Sequence, residues 1–421
     1  MATSTRTRDG NDSSTGILNG IKVLDVASYI AAPISTTIMA DFGADVVKIE
    51  PPGGDAYRTI TDNPGMPEAP TDYHWHVDNR NKKGLALDLT SNAGQAILRR
   101  LVEQADVFVT NFTRPAREKL KLRWDDLQPI NERLIYASLT AYGETGPEAA
   151  KTGFDSTAYW ARTGLMHMVR PEPTAVPARS LPGQGDHPTG VALFGAIMLG
   201  LYDRQRTGKG SKVHTSLLAN GLWSNAFYAQ AMLSGGNAPM RPHRAEMPNA
   251  LTNHYRCKDD HWFILSIVNQ DRGWGRLLSA IERPDLNDDP RFSTRALRNE
   301  NATTLIGVLD AIFDAQDYAY WRDRLDDAGV TFGSVGRVEE IPDDVQMTAS
   351  GALTSADAST IGADRVVDTP LWVDGSEKAE PIAAPKLGQH NDEVLVAAGY
   401  SEAEIAALRS DGAFGYRAYC G

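Results

Sequence analysis

Two carboxylates carry the chemistry in this chain: Asp186, bracketed by Gly183 and Gly185 in LPGQGDHPTG, and Asp155 in KTGFDSTAYWARTG. The glycines let the backbone turn tightly and approach a ligand closely. Just beyond them an apolar series, Val191, Leu193, Phe194, Ile197, Met198 and Leu201, has helical spacing, with Thr189 or Gly190 as its expected opening. A carboxylate ahead of a helix lies at the positive end of its dipole. There the ionised form is favoured, and free N–H groups can hold a developing oxyanion. Such an aspartate either takes part in the chemistry, beside a developing oxyanion, or merely caps the helix. Asp155, which precedes STAYWARTG, reads in the same two ways, as a cap or as a second acid of the site.

Competing chemistries find fewer residues. His74 and His76 are two apart in YHWH, and a pair does not make a zinc site, so no metal is expected. His187 directly follows Asp186, where its backbone N–H or ring could contact an acyl oxygen. Neither a GxSxG elbow nor an HExxH helix occurs, and the turn ASYIAAP after the first strand lacks the GxGxxG of dinucleotide enzymes. Cys257 and Cys420 are the only cysteines, too few for a disulfide framework or a CxxC redox motif.

The 421 residues allow two or more domains. Fifty-four acidic against 42 basic residues give a formal net charge of −12, which argues against a nucleic-acid or membrane surface. The first sixteen residues, MATSTRTRDGNDSSTG, read as a polar flexible tail without the apolar centre of a signal peptide, and no run is long enough to span a bilayer. A cytoplasmic location is the resulting expectation.

The elements that must position the two acids alternate. Ile21–Val26 reads as a strand, Ile34–Phe42 as a helix, and Asp45–Ile49 as a strand, with Gly43 as a left-handed cap between the last two. Leu85–Asp88, Ser91–Gln104 and Val107–Thr110 repeat strand, helix and strand, with Ser91 as N-cap, and Leu134–Leu139 and Lys212–Ser216 add strands. This grammar predicts an α/β protein with a Rossmann-like parallel sheet in its large domain. Ligands of such sheets bind outside the carboxyl ends of the strands. Among the connecting segments Arg80, Lys82 and Lys83, then Asn111, Phe112, Arg114, Arg117 and Lys119, form a basic set with an aromatic, suited to a phosphate-bearing adenine nucleotide. Each of these cations could equally be a solvated surface charge.

The ordered blocks GIKVLDVASYIAAP, MADFGADVVKIEPPGGD, NRNKKGLALDLTSNAGQ, ADVFVTNF, LIYASLTAYGETGP and LGQHNDEVL, together with the GD turn and the LYDRQRTGKG that ends its helix, resemble the family III CoA-transferases. The resemblance implies that Asp186 is the acyl-accepting nucleophile, with Asp155 beside it and Gly185 contributing to the oxyanion site. It implies CoA contacts at Lys82, Lys83, Leu87, Asp88, Thr90, Asn111, Phe112, Lys119 and Lys151. No cofactor is held permanently; CoA and acyl-CoA are substrates, and a small carboxylic acid is the partner. Pro51 replaces a family arginine, and Ile30 replaces the glutamine of the formyl-CoA type. The related racemases of this fold carry a histidine where this chain has Phe154, a side chain that cannot take a proton.

The expected organisation is a tail (1–16), a large CoA-binding domain (17–234), a linker (235–255), a smaller α+β domain (256–338), and a return segment packing on the large domain (339–421). Resemblance further implies an interlocked homodimer. Within the domains, 217–234 reads as one helix; His261–Val268 reads as a strand, and helices follow over Gly273–Ile281, Ala302–Ala315 and Tyr318–Ala328. The expected activity is acyl-CoA:carboxylate CoA transfer through an aspartyl anhydride and an aspartyl-CoA thioester. A racemase or isomerase with an acid/base pair, and lastly a non-catalytic CoA-binding protein, are the alternatives. Arg170, Arg179, Arg241, His243 and Arg244 are candidates to read a second carboxylate of a short acyl group such as succinyl. Tyr159, Trp160, Trp223 and Phe227 suit a bulkier aromatic acid instead.

Overall fold

A computed structural model describes residues 16–414, so residues 1–15 of the polar tail, and Cys420, lie outside the described residues. The chain divides into two compact units, one made of the segments up to Leu165, Arg179–Gln230 and Gln346 onward, the other of Met166–Ala178 and Ala231–Val345.

The first unit is built on six strands: β1 (Lys22–Asp25), β2 (Asp45–Glu50), β3 (Lys83–Ala86), β4 (Val107–Thr110), β5 (Ile135–Thr140) and β6 (Ser211–Ser216). All pair in parallel, in the order β3-β2-β1-β4-β5-β6. Their near-continuous apolar runs, such as VFVT in β4, suit a sheet covered on both faces. The strand order reverses between β1 and β4, which marks the crevice beyond their carboxyl ends as the ligand position. Asn111 ties that crevice together. Its Nδ2 donates to the Ser28 carbonyl at 2.6 Å while its Oδ1 accepts the Ser28 amide at 2.9 Å, so two hydrogen bonds join the loops after β4 and β1.

One face of the sheet carries helix α1 (Ala31–Asp41), which is buried along its whole length and packs against the long helix that begins at Asp186. Leu193, Ile197 and Leu201 of the long helix join Val23, Val107, Ile135 and Ala137 in that core. On the other face the Asn92–Gln104 helix buries Ile97, Leu98, Leu101 and Val102, each worth about 1.5–3 kcal/mol. Ser91 caps it as expected, accepting the Gly94 amide. The C-terminal segment completes this layer, with Val394, Leu395 and Ile405 in the same core.

The second unit has an antiparallel sheet of His254–Arg256, Trp262–Leu265 and Phe332–Ser334. The helices Gln270–Ala280, Ala302–Phe313 and Tyr318–Asp327 pack on it around Phe263, Leu277, Leu309 and Phe313. Two expectations need correction. The stretch 235–255 is not only a linker, because Ala250, Leu251 and Tyr255 lie in this core at 2% exposure or less. The helix expected over 217–234 is two, Leu217–Ser224 and Ala226–Leu233, interrupted at Asn225, whose Nδ2 turns away to donate to the Thr163 carbonyl.

Candidate active site

The helix carrying Asp186 begins earlier than its apolar pattern suggests. It spans Asp186–Thr207 with Gly185 as the preceding residue, so Asp186 occupies the first turn and does not cap it. The sequence signal missed this because Pro188 and Thr189 break the apolar spacing while suiting a first turn. Proline needs no N–H there, and the Thr189 hydroxyl donates to the Gly185 carbonyl at 2.7 Å. Gly185 cannot be exchanged for a larger residue. A Cβ at this position would stand 2.7 Å from the Tyr159 ring and 2.9 Å from the Asp155 Cβ.

That crowding reports how closely the second acid approaches. Asp155 opens a π-helical turn, Asp155–Ala161, a rare geometry that recurs at functional sites. Its Oδ2 accepts the Gly185 amide at 3.2 Å, and its Oδ1 accepts the Ser156 amide at 2.6 Å. The Gly185 N–H is therefore engaged by Asp155 in this structure and is not a free oxyanion donor. The Asp186 N–H is the donor left open, with no partner among the described residues.

Asp186 itself is half-buried, and among the described residues its carboxylate accepts no hydrogen bond. Burial first, and then the neighbouring Asp155 charge, raise its pKa from 3.8 to about 7; Asp78 adds to the rise and His187 works against it. A carboxylate with unengaged lone pairs and raised basicity is a stronger nucleophile than a solvated one. Beside it, His187 is held by the Gly183 carbonyl, 3.0 Å from Nδ1, and by Asp78, whose Oδ1 is 3.3 Å from Nε2. Asp78 lies in the Tyr73–Asn79 helix and also accepts the Tyr57 hydroxyl at 2.6 Å. Neither Asp78 nor Tyr57 stood out in the sequence; the only hint was that Asp78 falls one helical turn after the conspicuous His74.

The loop after β1 forms the adjoining wall. Tyr29 holds a left-handed backbone, φ 61°, unusual for a tyrosine, and Asp55 Oδ1 clamps it by accepting the Tyr29 amide at 3.3 Å and the Ser28 hydroxyl at 2.6 Å. The Phe154 ring meets Tyr29 edge to face at 5.5 Å and is 56% exposed, so its face is open to a ligand. Tyr29 in turn lies 6.4 Å from Tyr57.

The residues expected to hold CoA separate into two groups. Leu87 is buried at the end of β3, and Asp88 Oδ1 accepts both the amide (2.9 Å) and the hydroxyl (2.6 Å) of Thr90, a compact turn at the sheet's carboxyl edge. Asn111 and Phe112 follow β4 at the same edge. Lys119 is exposed and forms no ion pair among the described residues, while the exposed Lys151 pairs with Glu148 at 3.0 Å. Arg117 is committed to Glu144 at 2.9 Å.

Lys82, expected among the CoA contacts, is buried, and Lys83 is already paired. They precede or open β3 and do not follow it. The Lys82 ammonium is fully buried and bonded to Asp25 Oδ2 (2.9 Å), Asn79 Oδ1 (3.0 Å) and the carbonyls of Pro33 and Asp78. Burial raises the Asp25 pKa, but Lys48 and Lys82 outweigh it and hold the carboxyl below its usual range. Lys83 pairs with Asp45 and Glu393, each at 3.2 Å. Arg80 is likewise buried against Asp41 at 2.7 Å. Lys82 and Arg80 are thus engaged within the fold.

Known proteins resemble the chain along most of its length. The model of CoA-transferase family III matches residues 18–391. The (R)-2-hydroxy-4-methylpentanoate CoA-transferase of Clostridioides difficile is 31% identical over 391 residues, 92% of this chain and 97% of that protein. The cinnamoyl-CoA:phenyllactate CoA-transferase of Clostridium sporogenes is 31% identical over 405 residues, 95% of this chain and 98% of that one. A CAIB/BAIF family protein from Brucella suis has a solved structure that superposes with a TM-score of 0.81 at 29% identity, covering 91% of this chain and all of that chain. No helix among the described residues is long and apolar enough to cross a membrane, and no group of three or more His, Cys, Asp or Glu among them could hold a metal.

Proposed function

The chain belongs to CoA-transferase family III, and from that premise we propose that it moves CoA from an acyl-CoA to a free carboxylate through covalent intermediates on Asp186. The observation that carries the reading is the Asp186 carboxylate, free of hydrogen bonds among the described residues, half-buried, and set in the first turn of its helix beside Asp155.

A carboxylate oxygen of Asp186 attacks the thioester carbon. The C–S bond breaks, and CoA leaves as the thiolate, giving an acyl-aspartyl anhydride. The thiolate then attacks the aspartyl carbonyl and expels the first acid, leaving an aspartyl-CoA thioester. The incoming carboxylate attacks that thioester and releases the thiolate, which adds to the new acyl carbon and returns Asp186 as a carboxylate. Thioester energy is conserved throughout, so the cycle needs neither ATP nor metal. The open Asp186 N–H, at a helix terminus, is suited to the oxyanions of these steps, and Asp155 fixes the turn by holding the Gly185 N–H. Leu87, Asp88, Thr90, Asn111, Phe112, Lys119 and Lys151 are proposed to receive CoA. An acid/base racemase is less well supported, because Phe154 offers no base and both ring nitrogens of His187 already face acceptors.

The active form is proposed to be an interlocked homodimer. Leu222, Trp223 and Phe227 project from the helices after β6 with 50%, 80% and 85% of their surface exposed, an apolar patch that a second copy would cover. A monomer mass by light scattering at every concentration would contradict this. The catalytic proposal is tested by Asp186→Asn, which is expected to slow transfer about 10³-fold or more, and by mass spectrometry of the Asp186 peptide after incubation with acyl-CoA. Turnover within tenfold of the native enzyme, or no CoA adduct on that peptide, would remove Asp186 as the nucleophile.

A further inference from the structure

We propose that His187 is a positioning residue: an imidazolium at neutral pH, fixed by the chain Tyr57–Asp78–His187, whose charge keeps the neighbouring Asp186 ionised without touching the substrate. The inference rests on the reading of Asp186 as nucleophile.

Hydrogen-bond accounting carries it. Nδ1 lies 3.0 Å from the Gly183 carbonyl, an atom that only accepts, so Nδ1 bears a proton. Nε2 lies 3.3 Å from Asp78 Oδ1. Asp78 is 1% exposed, its Oδ2 already receives the Tyr57 hydroxyl at 2.6 Å, and Oδ1, without a hydrogen bond among the described residues, faces the His187 ring. A carboxylate facing Nε2 calls for a proton there as well, and a ring protonated on both nitrogens is a cation. The ring is also held from above. The Gly183 backbone has φ +76°, and a Cβ on it would stand 2.9 Å from His187 Cε1 and Nδ1, so the turn lies directly on the imidazole.

An imidazolium in the first turn of a helix opposes the helix dipole, so something must compensate, and Asp78 does. Burial disfavours the charged ring, yet the Asp78 carboxylate facing it prevails and raises its pKa to about 9. The need for the cation is visible around Asp186, where Asp155 from the π-helical turn and Asp78 from the Tyr73–Asn79 helix both repel its charge and His187 works against them. Asp78 is faced in turn by Tyr57 and His187, and it also acts on the buried Lys82. The charge in the site is the same before and after acylation, passing from the Asp186 oxygen to the CoA sulfur. A fixed cation that spends no N–H on the substrate stabilises both.

The test is the pH profile of single-turnover acylation for the native enzyme, His187→Gln and His187→Lys. Loss of the cation is expected to raise the acid limb of His187→Gln above the native position near pH 7, to slow acylation about fivefold or more at pH 6, and to leave it within about threefold of native at pH 9. His187→Lys is expected to return the limb toward the native position. An unshifted limb in His187→Gln overturns the proposal, as does a loss equal at all pH values that lysine does not restore. If the native enzyme forms no CoA adduct on Asp186, the transferase reading fails instead, a result separate from any shift of the limb.

Discussion

The Asp155 carboxylate accepts the Gly185 amide at 3.2 Å, so one side chain both shapes the turn before Asp186 and places a negative charge beside it. The two effects can be separated. Asp155→Asn keeps an acceptor for Gly185 and removes the charge; since that charge raises the Asp186 pKa, its loss lowers it. The acid limb of kcat/KM is expected to move below 7, with relative activity at pH 5.5–6 improving (about that range). Asp155→Ala removes the acceptor too and is expected to lower kcat about 10²-fold at every pH. Identical profiles for the two variants would show that Asp155 acts through charge or shape alone.

Asp186 also predicts a cost in stability. Its pKa is raised from 3.8 to about 7 on folding, so the folded protein holds a proton that the unfolded chain releases. The penalty is absent below the unfolded pKa, grows as pH rises between the two values, and is complete above the folded one. Asp186→Asn is therefore expected to melt at a higher temperature than the native protein at pH 8, with the difference shrinking toward pH 4. Melting curves that differ equally at both pH values would contradict the linkage.

The two classes of lysine should respond differently. Lys82→Ala strands the fully buried Asp25 with one fewer cation, a change that typically costs about 3–5 kcal/mol, and is expected to reduce the yield of folded protein. Lys119→Ala is expected to leave the melting temperature unchanged and to raise KM for acyl-CoA by about three- to tenfold, the scale of one exposed phosphate contact. A Lys82→Ala protein that melts normally but binds CoA poorly would reverse the assignment.

How far residues alone could reach is clear from these positions. The sheet was legible because β1, β2, β4 and β5 are short apolar runs separated by helix-forming segments, and burial on both faces leaves few other readings. The tight turn before Asp186 was legible through Gly183 and Gly185, where a Cβ would meet neighbours at 2.9 Å or less. Lys82 was not, since an ammonium beside a strand looks alike in sequence whether it faces water or Asp25, and only the tertiary path from β1 decides. Tyr57 and Asp78 were hidden for the same reason. They come from separate loops and helices, and their relation to His187 exists only in the fold.

Arg244 gives the last test, because its geometry argues against reading a substrate carboxylate. Its Nη2 is 2.5 Å from Asp310 Oδ2 and its Nη1 is 2.6 Å from the His254 carbonyl, while the guanidinium lies over the Tyr255 and Trp262 rings at 5.6 and 5.9 Å. Arg170 is similarly occupied by the carbonyls of His167, Pro173 and Ala175. A cation so engaged inside the second unit would have to give up several bonds to bind a ligand, and the exchange gains little. Arg244→Ala is expected to lower the melting temperature by about 2–5 °C through lost packing and pairing. It should leave the ranking of succinyl-CoA, butyryl-CoA and an arylpropenoyl-CoA as donors unchanged. A selective loss of succinyl-CoA activity, without a fall in melting temperature, would show that Arg244 leaves Asp310 for the substrate.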